Sequence, residues 1–237
     1  MEALATPTQK ISESVGRCHA SKPRKGRKSL REFDLEDTTR SMFAEPAVAR
    51  LVSNIQWALA EGLGARDLVP MLESLLAAAP PGSDEELFAQ QQLSEIIVEK
   101  RPWQAALLAR QALARVPHPR TWSVLGLAHT LLGNYRSAAR AYRQSLAMDP
   151  ACPSTAHNLG HLLDVALGRP CDALRYLELA HRLEPDEPEL ASSYAHALVR
   201  VGQREKAYTL LLQSQSMQEA EANTLLDRWL SRVAALV

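Results

Sequence analysis

The sequence predicts an all-α fold arranged as a right-handed helical-repeat solenoid. Three observations predict it. The composition is 46% hydrophobic but only 5% aromatic, with many Ala and Leu residues, which lose little side-chain freedom in helices. Proline and glycine interrupt the chain at regular intervals, and three residue classes share one period of about 34 residues.

The prolines and glycines mark the ends of successive helix pairs. Glycine after a helix accepts a left-handed backbone, and proline just beyond a helix prevents its continuation. From residue 45 onward these stops bound helical segments throughout, beginning with helices near 46–61 and 66–79. The shared period follows from residues spaced 33 to 35 apart: Ala105, Ala138, Ala173 and Ala207; Gly133, Gly168 and Gly202; Pro117, Pro150 and Pro185.

The segment HPRTWSVLGLAHTLLGNYRSAARAYRQSLAMDP, which runs from His118 to Pro150, resembles a tetratricopeptide repeat. The resemblance depends on Trp122, Leu125, Gly126, Gly133, Tyr135, Ala138, Tyr142 and Pro150. It implies two antiparallel helices per unit, stacked so that neighbouring units share one core. It also implies a concave face, formed by the first helix of each unit, that binds a partner protein or peptide.

The period divides the chain into an N-terminal arm, a series of units and a cap. We expect a disordered basic arm at 1–44, because this stretch is polar and lacks a sustained apolar period. The predicted units are a helix pair at 45–82, a degenerate repeat at 83–118, repeats at 119–152, 153–187 and 188–217, and a capping helix at 218–237. The repeat at 153–187 contains one inserted residue between Leu163 and Gly168, so its first helix is expected to be slightly longer.

Small residues are expected to set how closely paired helices approach. Gly126 and Gly160 lack a side chain that would hold the second helix away, and Ala138 and Ala173 allow the next helix to dock. The aromatic residues Trp122, Tyr135 and Tyr142 are expected to fill the wider gaps of the core.

The first helices also carry side chains that the core pattern leaves over, three or four residues apart and hence on one face of each helix. We predict that these residues line the partner groove: Arg120, Ser123, Leu127, His157, His161, Asp164, Ser192, His196 and Arg200. An ordinary solvated helix face is the alternative. His157, His161, His196 and Asp164 could together hold a metal, but without an HExxH motif peptide contact is the favoured interpretation, and no metal or cofactor is predicted.

Formal net charge is zero, yet the charge is uneven, with eight Lys or Arg against two Glu in residues 1–31. Six cations lie between residues 22 and 31: Lys22, Arg24, Lys25, Arg27, Lys28 and Arg31. They form either a solvated tail or an electrostatic tether for an acidic partner or nucleic acid. No apolar run is long enough to span a membrane, and no secretory signal pattern opens the sequence, so a cytoplasmic protein is expected.

The sequence therefore predicts a protein-interaction adaptor or scaffold, not an enzyme, because no nucleophile motif or phosphate-binding loop is present. Two alternatives stay open. The stretch GLAHTLLGNYRSAARAY, from Gly126 to Tyr142, is similar to the repeats of bacterial type III secretion chaperones. A regulator that contacts nucleic acid through the basic arm is the second.

Overall fold

The computed structural model describes residues 46–215 and 218–234, and every regular element in those residues is helical. The described residues belong to two compact units, 46–117 and 118–234. The all-α prediction is confirmed, including the two helices expected near 46–61 and 66–79.

The unit at 46–117 contains four helices in which each packs on the next: α1 (Pro46–Ala60), α2 (Ala65–Ala78), α3 (Asp84–Ile97) and α4 (Pro102–Arg115). The side chain of Ser83 caps α3 by accepting a hydrogen bond from the Glu86 amide at 3.1 Å. At the far end of α4, the Arg115 guanidinium donates to the Gly82 carbonyl at 2.7 Å. These contacts fix the turn between α2 and α3 against the end of α4.

The unit at 118–234 contains three helix pairs followed by one helix. Its elements are α5 (Pro119–Leu131), α6 (Tyr135–Met148), α7 (Pro153–His161), α8 (Pro170–Leu183), α9 (Pro188–Arg200), α10 (Arg204–Gln215) and α11 (Glu219–Ala234). Proline occupies the first turn of α5, α7, α8 and α9, where a missing amide hydrogen costs nothing. Glycines in the left-handed region end the first helices, as at Gly133 with φ 74° and Gly202 with φ 82°.

Close helix contact within a pair depends on two glycines. A Cβ added at Gly126 would lie 2.6 Å from two ring carbons of Tyr142, and a Cβ at Gly160 would lie 2.6 Å from Leu177 Cγ. The equivalent small residues of the second helices, Ala138 and Ala173, are fully buried. The structure therefore agrees with small residues setting the helix spacing.

The inserted residue of the 153–187 stretch is absorbed as a π-turn. Helix α7 continues from His161 into a π-helical turn at Leu162–Ala166, where the Leu167 amide donates to the Leu162 carbonyl at 3.0 Å. The first helix is thus longer by one residue, as the sequence predicted, and Asp164, which lies in this turn, is buried.

The final helix, α11, covers the end of the last pair. Ala222 and Leu226 are fully buried in a cluster with Ala195, Leu198 and Leu211, as expected of a capping helix. Among the aromatic residues, Tyr142 is fully buried and Trp122 is half-buried. Tyr135 is 37% exposed, so the expectation that it fills the core is wrong, because the start of α6 places its ring at the surface.

The predicted basic arm, from Lys22 to Arg31, lies outside the described residues, and its role stays a prediction. Among the helices that the structure describes, none combines the length and apolar character that crossing a membrane requires.

Candidate functional site

Polar side chains link the first helices of successive pairs in the 118–234 unit. The hydroxyls of Ser123 on α5 and Thr155 on α7 lie 3.0 Å apart and are both buried. One repeat further, His157 Nε2 shares a hydrogen bond of 2.9 Å with the Ser193 hydroxyl on α9. A hydrogen bond is electrostatically stronger away from water, as at the buried Ser123–Thr155 pair, and both bonds connect neighbouring first helices.

Asp164 is the centre of a third and stronger link. Its carboxylate accepts a hydrogen bond from His196 Nδ1 at 2.6 Å and another from the Arg200 guanidinium at 2.8 Å. Arg200 also donates to the backbone carbonyl of Asp164. The Asp164 side chain is 2% exposed, whereas those of His196 and Arg200 are 29% and 19% exposed. A buried carboxylate is therefore held between two donors that remain partly open to solvent.

The same cluster extends to the final helix. The His196 ring meets the Trp229 ring of α11 edge to face, with 5.3 Å between ring centroids. One chain of contacts thus joins the π-turn after α7, the middle of α9 and the capping helix. We call Asp164, His196, Arg200 and Trp229 the Asp164 clamp.

The structure divides the nine predicted groove residues by exposure. Ser123, Leu127, His157 and Asp164 are buried, with at most 5% of their surface exposed. The other five are partly exposed: Arg120, His161, Ser192, His196 and Arg200. The rings of His157 and His161 lie 5.9 Å apart between their centroids, and His196 is hydrogen-bonded to Asp164. The four side chains form these two separate pairs and do not converge on one site. Whether any of the nine contacts a partner stays a prediction.

A metal centre is not assembled from these side chains. Across 46–215 and 218–234, no group of three His, Cys, Asp or Glu side chains is placed so that it could hold a metal ion. His157 and His196 instead each place a ring nitrogen in a protein hydrogen bond.

Burial changes the acidity of three groups near this region. Burial lowers the pKa of His181 and raises the pKa of Tyr194, which Glu178 raises further through charge repulsion. Burial also raises the pKa of Tyr142 far above its ordinary value of 10. All three groups are therefore neutral at pH 7.

Sequence reasoning missed three partners of the predicted residues: Thr155, Ser193 and Trp229. Thr155 lies one repeat after Thr121 and two residues before His157, so its small polar side chain was available as a signal. Trp229 falls within the predicted capping helix at 218–237, but its contact with His196 was not predicted. The pairing across helices depends on their rotation, which a one-dimensional pattern does not give.

The comparison with protein families matches one region of the chain. The matched family is the tetratricopeptide repeat, and the match covers residues 119–152, which contain α5, α6 and the turn between them. The chain contains a tetratricopeptide repeat. Its fold is accordingly the one used by tetratricopeptide-repeat proteins, in which stacked helix pairs generally serve as scaffolds for protein interaction.

Solved structures of MamA share the fold. MamA from Desulfovibrio magneticus RS-1, residue 41 to the end, is 16% identical with a TM-score of 0.59, covering 79% of this chain and 97% of that one. MamA of MSR-1 is 20% identical with a TM-score of 0.59, covering 78% and 99%. MamA of AMB-1 is 22% identical with a TM-score of 0.56, covering 75% and 97%. At these identities the similarity shows the fold alone. A search of the curated proteins finds no significant match.

Proposed function

We propose that this chain is a non-catalytic adaptor that binds an extended or helical segment of a partner protein on the face formed by α5, α7 and α9. The observation that carries the proposal is the row of partly exposed hydrogen-bonding side chains on three successive first helices. Arg120 lies on α5, His161 ends α7, and Ser192 and His196 lie on α9. A tetratricopeptide-repeat scaffold presents this face to its ligands.

The buried links between the first helices support this proposal. Because Ser123, His157 and Asp164 each contact the neighbouring first helix, the row is held on a rigid backbone. A preorganised surface loses less conformational entropy when a ligand binds. The guanidinium of Arg120 and the imidazoles suit carbonyl and carboxylate groups of a partner chain.

The proposal is tested by affinity purification with the full-length protein, followed by mass spectrometry and titration of the purified partner. The test variant is Arg120→Ala with His161→Ala. The matched control is Arg143→Ala with Arg182→Ala, which removes two exposed cations from the second helices α6 and α8. The test variant should bind the partner at least about tenfold more weakly, equivalent to about 1.4 kcal/mol, while the control binds normally.

A third variant lacks residues 1–40. If only this deletion removed the partner, recognition would lie in the N-terminal arm, and the proposal would be wrong. Equal losses in the test and control variants would show that the first-helix face is not a distinct binding surface. The secretion-chaperone and nucleic-acid alternatives are distinguished by the identity of the partner recovered.

A further inference from the structure

Helix α4 presents an apolar stripe to solvent in the 46–117 unit. Trp103 is 64% exposed, and Leu107, one turn later, is 51% exposed. Arg110, Gln111 and Ala114 continue along the same face and are also exposed. Single exposed apolar residues are ordinary, but a tryptophan and a leucine adjacent on one helix form a continuous patch of the kind that binds another chain. The apolar members, Trp103, Leu107 and Ala114, are called the α4 stripe.

The α4 stripe has a cationic border. Helix α4, with the sequence PWQAALLARQALAR, contains two arginines and no acidic residue. Arg115 is already engaged with the Gly82 carbonyl and with Asp84. Arg110 and, just before the helix, Lys100 are exposed, as is the acidic Glu99 that precedes Lys100. A complementary ligand would combine apolar side chains with carboxylates.

The chain itself contains such a segment. Residues 32–37 read EFDLED, so Phe33 and Leu35 alternate with four carboxylates. This segment follows the basic stretch and lies outside the described residues, nine positions before the start of α1 at Pro46. Its aromatic and aliphatic side chains can pack on Trp103 and Leu107, and its carboxylates are opposite in charge to the neighbouring cations.

The connection is long enough for the segment to reach the stripe. Pro46 lies eleven positions after Leu35, and an extended chain of eleven steps spans up to about 36 to 40 Å. Four helices packed in series at 8 to 10 Å place α4 at most about 30 Å from α1. A short covalent connection also gives an effective concentration of about millimolar, so even a weak intrinsic affinity would populate the docked state.

We propose that residues 32–37 dock in cis on the α4 stripe, with Phe33 and Leu35 against Trp103 and Leu107, and with the carboxylates near Arg110 and Lys100. Docking covers the patch that the structure shows open. This inference is independent of the partner face on α5, α7 and α9, and each can fail without the other.

The test is fluorine NMR of the full-length protein labelled with 5-fluorotryptophan. The chain has four tryptophans, and Trp103→Phe identifies the resonance of interest. In Phe33→Ala with Leu35→Ala, the Trp103 resonance should shift and gain sensitivity to the exchange of H₂O for D₂O, while the other three resonances stay in place. The matched control, Met42→Ala with Phe43→Ala, removes a nearby apolar pair and should leave Trp103 unchanged. Raised salt should move the wild-type resonance toward that of the segment variant.

A synthetic peptide of residues 28–41, added to the segment variant at about millimolar concentration, should restore the wild-type resonance. The proposal is overturned if wild type and segment variant give the same Trp103 resonance and the same solvent sensitivity. It is equally overturned if the resonance depends on protein concentration but not on Phe33 and Leu35, because a second copy of the chain would then be the occupant.

Discussion

Adding one methyl group at Gly160 tests the close packing of α7 on α8. In Gly160→Ala the new Cβ would lie 2.6 Å from Leu177 Cγ and 3.2 Å from the Leu177 backbone nitrogen, whereas ordinary contact begins at 3.4 Å. The leucine side chain can rotate away, but the backbone nitrogen cannot, so the helices must separate slightly. Overpacking of a buried contact costs about 1 to 3 kcal/mol.

The same substitution also removes a glycine from a helix, which stabilises it by about 0.5 to 1 kcal/mol. The two effects oppose each other, and the expected net loss of unfolding free energy is about 0 to 2.5 kcal/mol, with a central value of about 1 kcal/mol. The measurement is urea denaturation followed by circular dichroism at 222 nm. The difference in stability between Gln144→Ala and Gln144→Gly, at an exposed position inside α6, measures the propensity contribution in the same protein.

A double-mutant cycle separates the clash from other effects. Leu177→Ala removes the side chain that the new methyl meets, so the loss caused by Gly160→Ala should shrink by about 1 kcal/mol in that background. Gly126→Ala should cost at least as much as Gly160→Ala, because the buried ring of Tyr142 cannot fold away from the added Cβ. A gain in stability for Gly160→Ala equal to the full propensity contribution would refute the close approach.

Three further outcomes follow from the same structure. Asp164→Ala should lower the unfolding free energy by about 2 to 4 kcal/mol. This is less than the loss expected on breaking a fully buried ion pair, because His196 and Arg200 are partly exposed. Chemical denaturation measures the loss, with Asp164→Asn as the milder control. Ala173→Leu should overpack a fully buried position and cost about 1 to 3 kcal/mol in thermal or urea melts, and an unchanged midpoint would contradict the packing. Because burial raises the pKa of Tyr142 above the unfolded value near 10, its contribution to stability is complete below pH 10 and is lost as pH rises through the folded value. Tyr142→Phe should therefore lose less stability than wild type between pH 9 and about pH 11 in parallel denaturation curves, and identical slopes would argue against a buried phenol.

The sequence was sufficient to predict the helix pairs and the small residues that pack between the two helices of a pair. The period depends on Gly, Pro and Ala, whose roles in turns and close contacts are local and leave a direct mark in the chain. The inserted residue before Gly168 likewise predicted a longer first helix, and the structure absorbs it in the π-turn.

The environment of the candidate site was harder to predict. A polar residue on one helix face, such as Asp164, has the same pattern whether that face meets solvent or a neighbouring helix. In the structure Asp164 lies in the π-turn and is held by Arg200, which lies 36 residues later and donates to both its carboxylate and its carbonyl. Leu127 and His157 illustrate the same limit, because their exposure is set by the surrounding structure and not by local spacing.

Hydrogen–deuterium exchange on the full-length protein, with and without its bound partner, tests the central claim most directly. Peptides from α5, α7 and α9 should gain protection on binding, while peptides from α6, α8 and α10 should exchange at unchanged rates. Protection confined to the second helices, or to residues 1–45, would contradict recognition by the first-helix face.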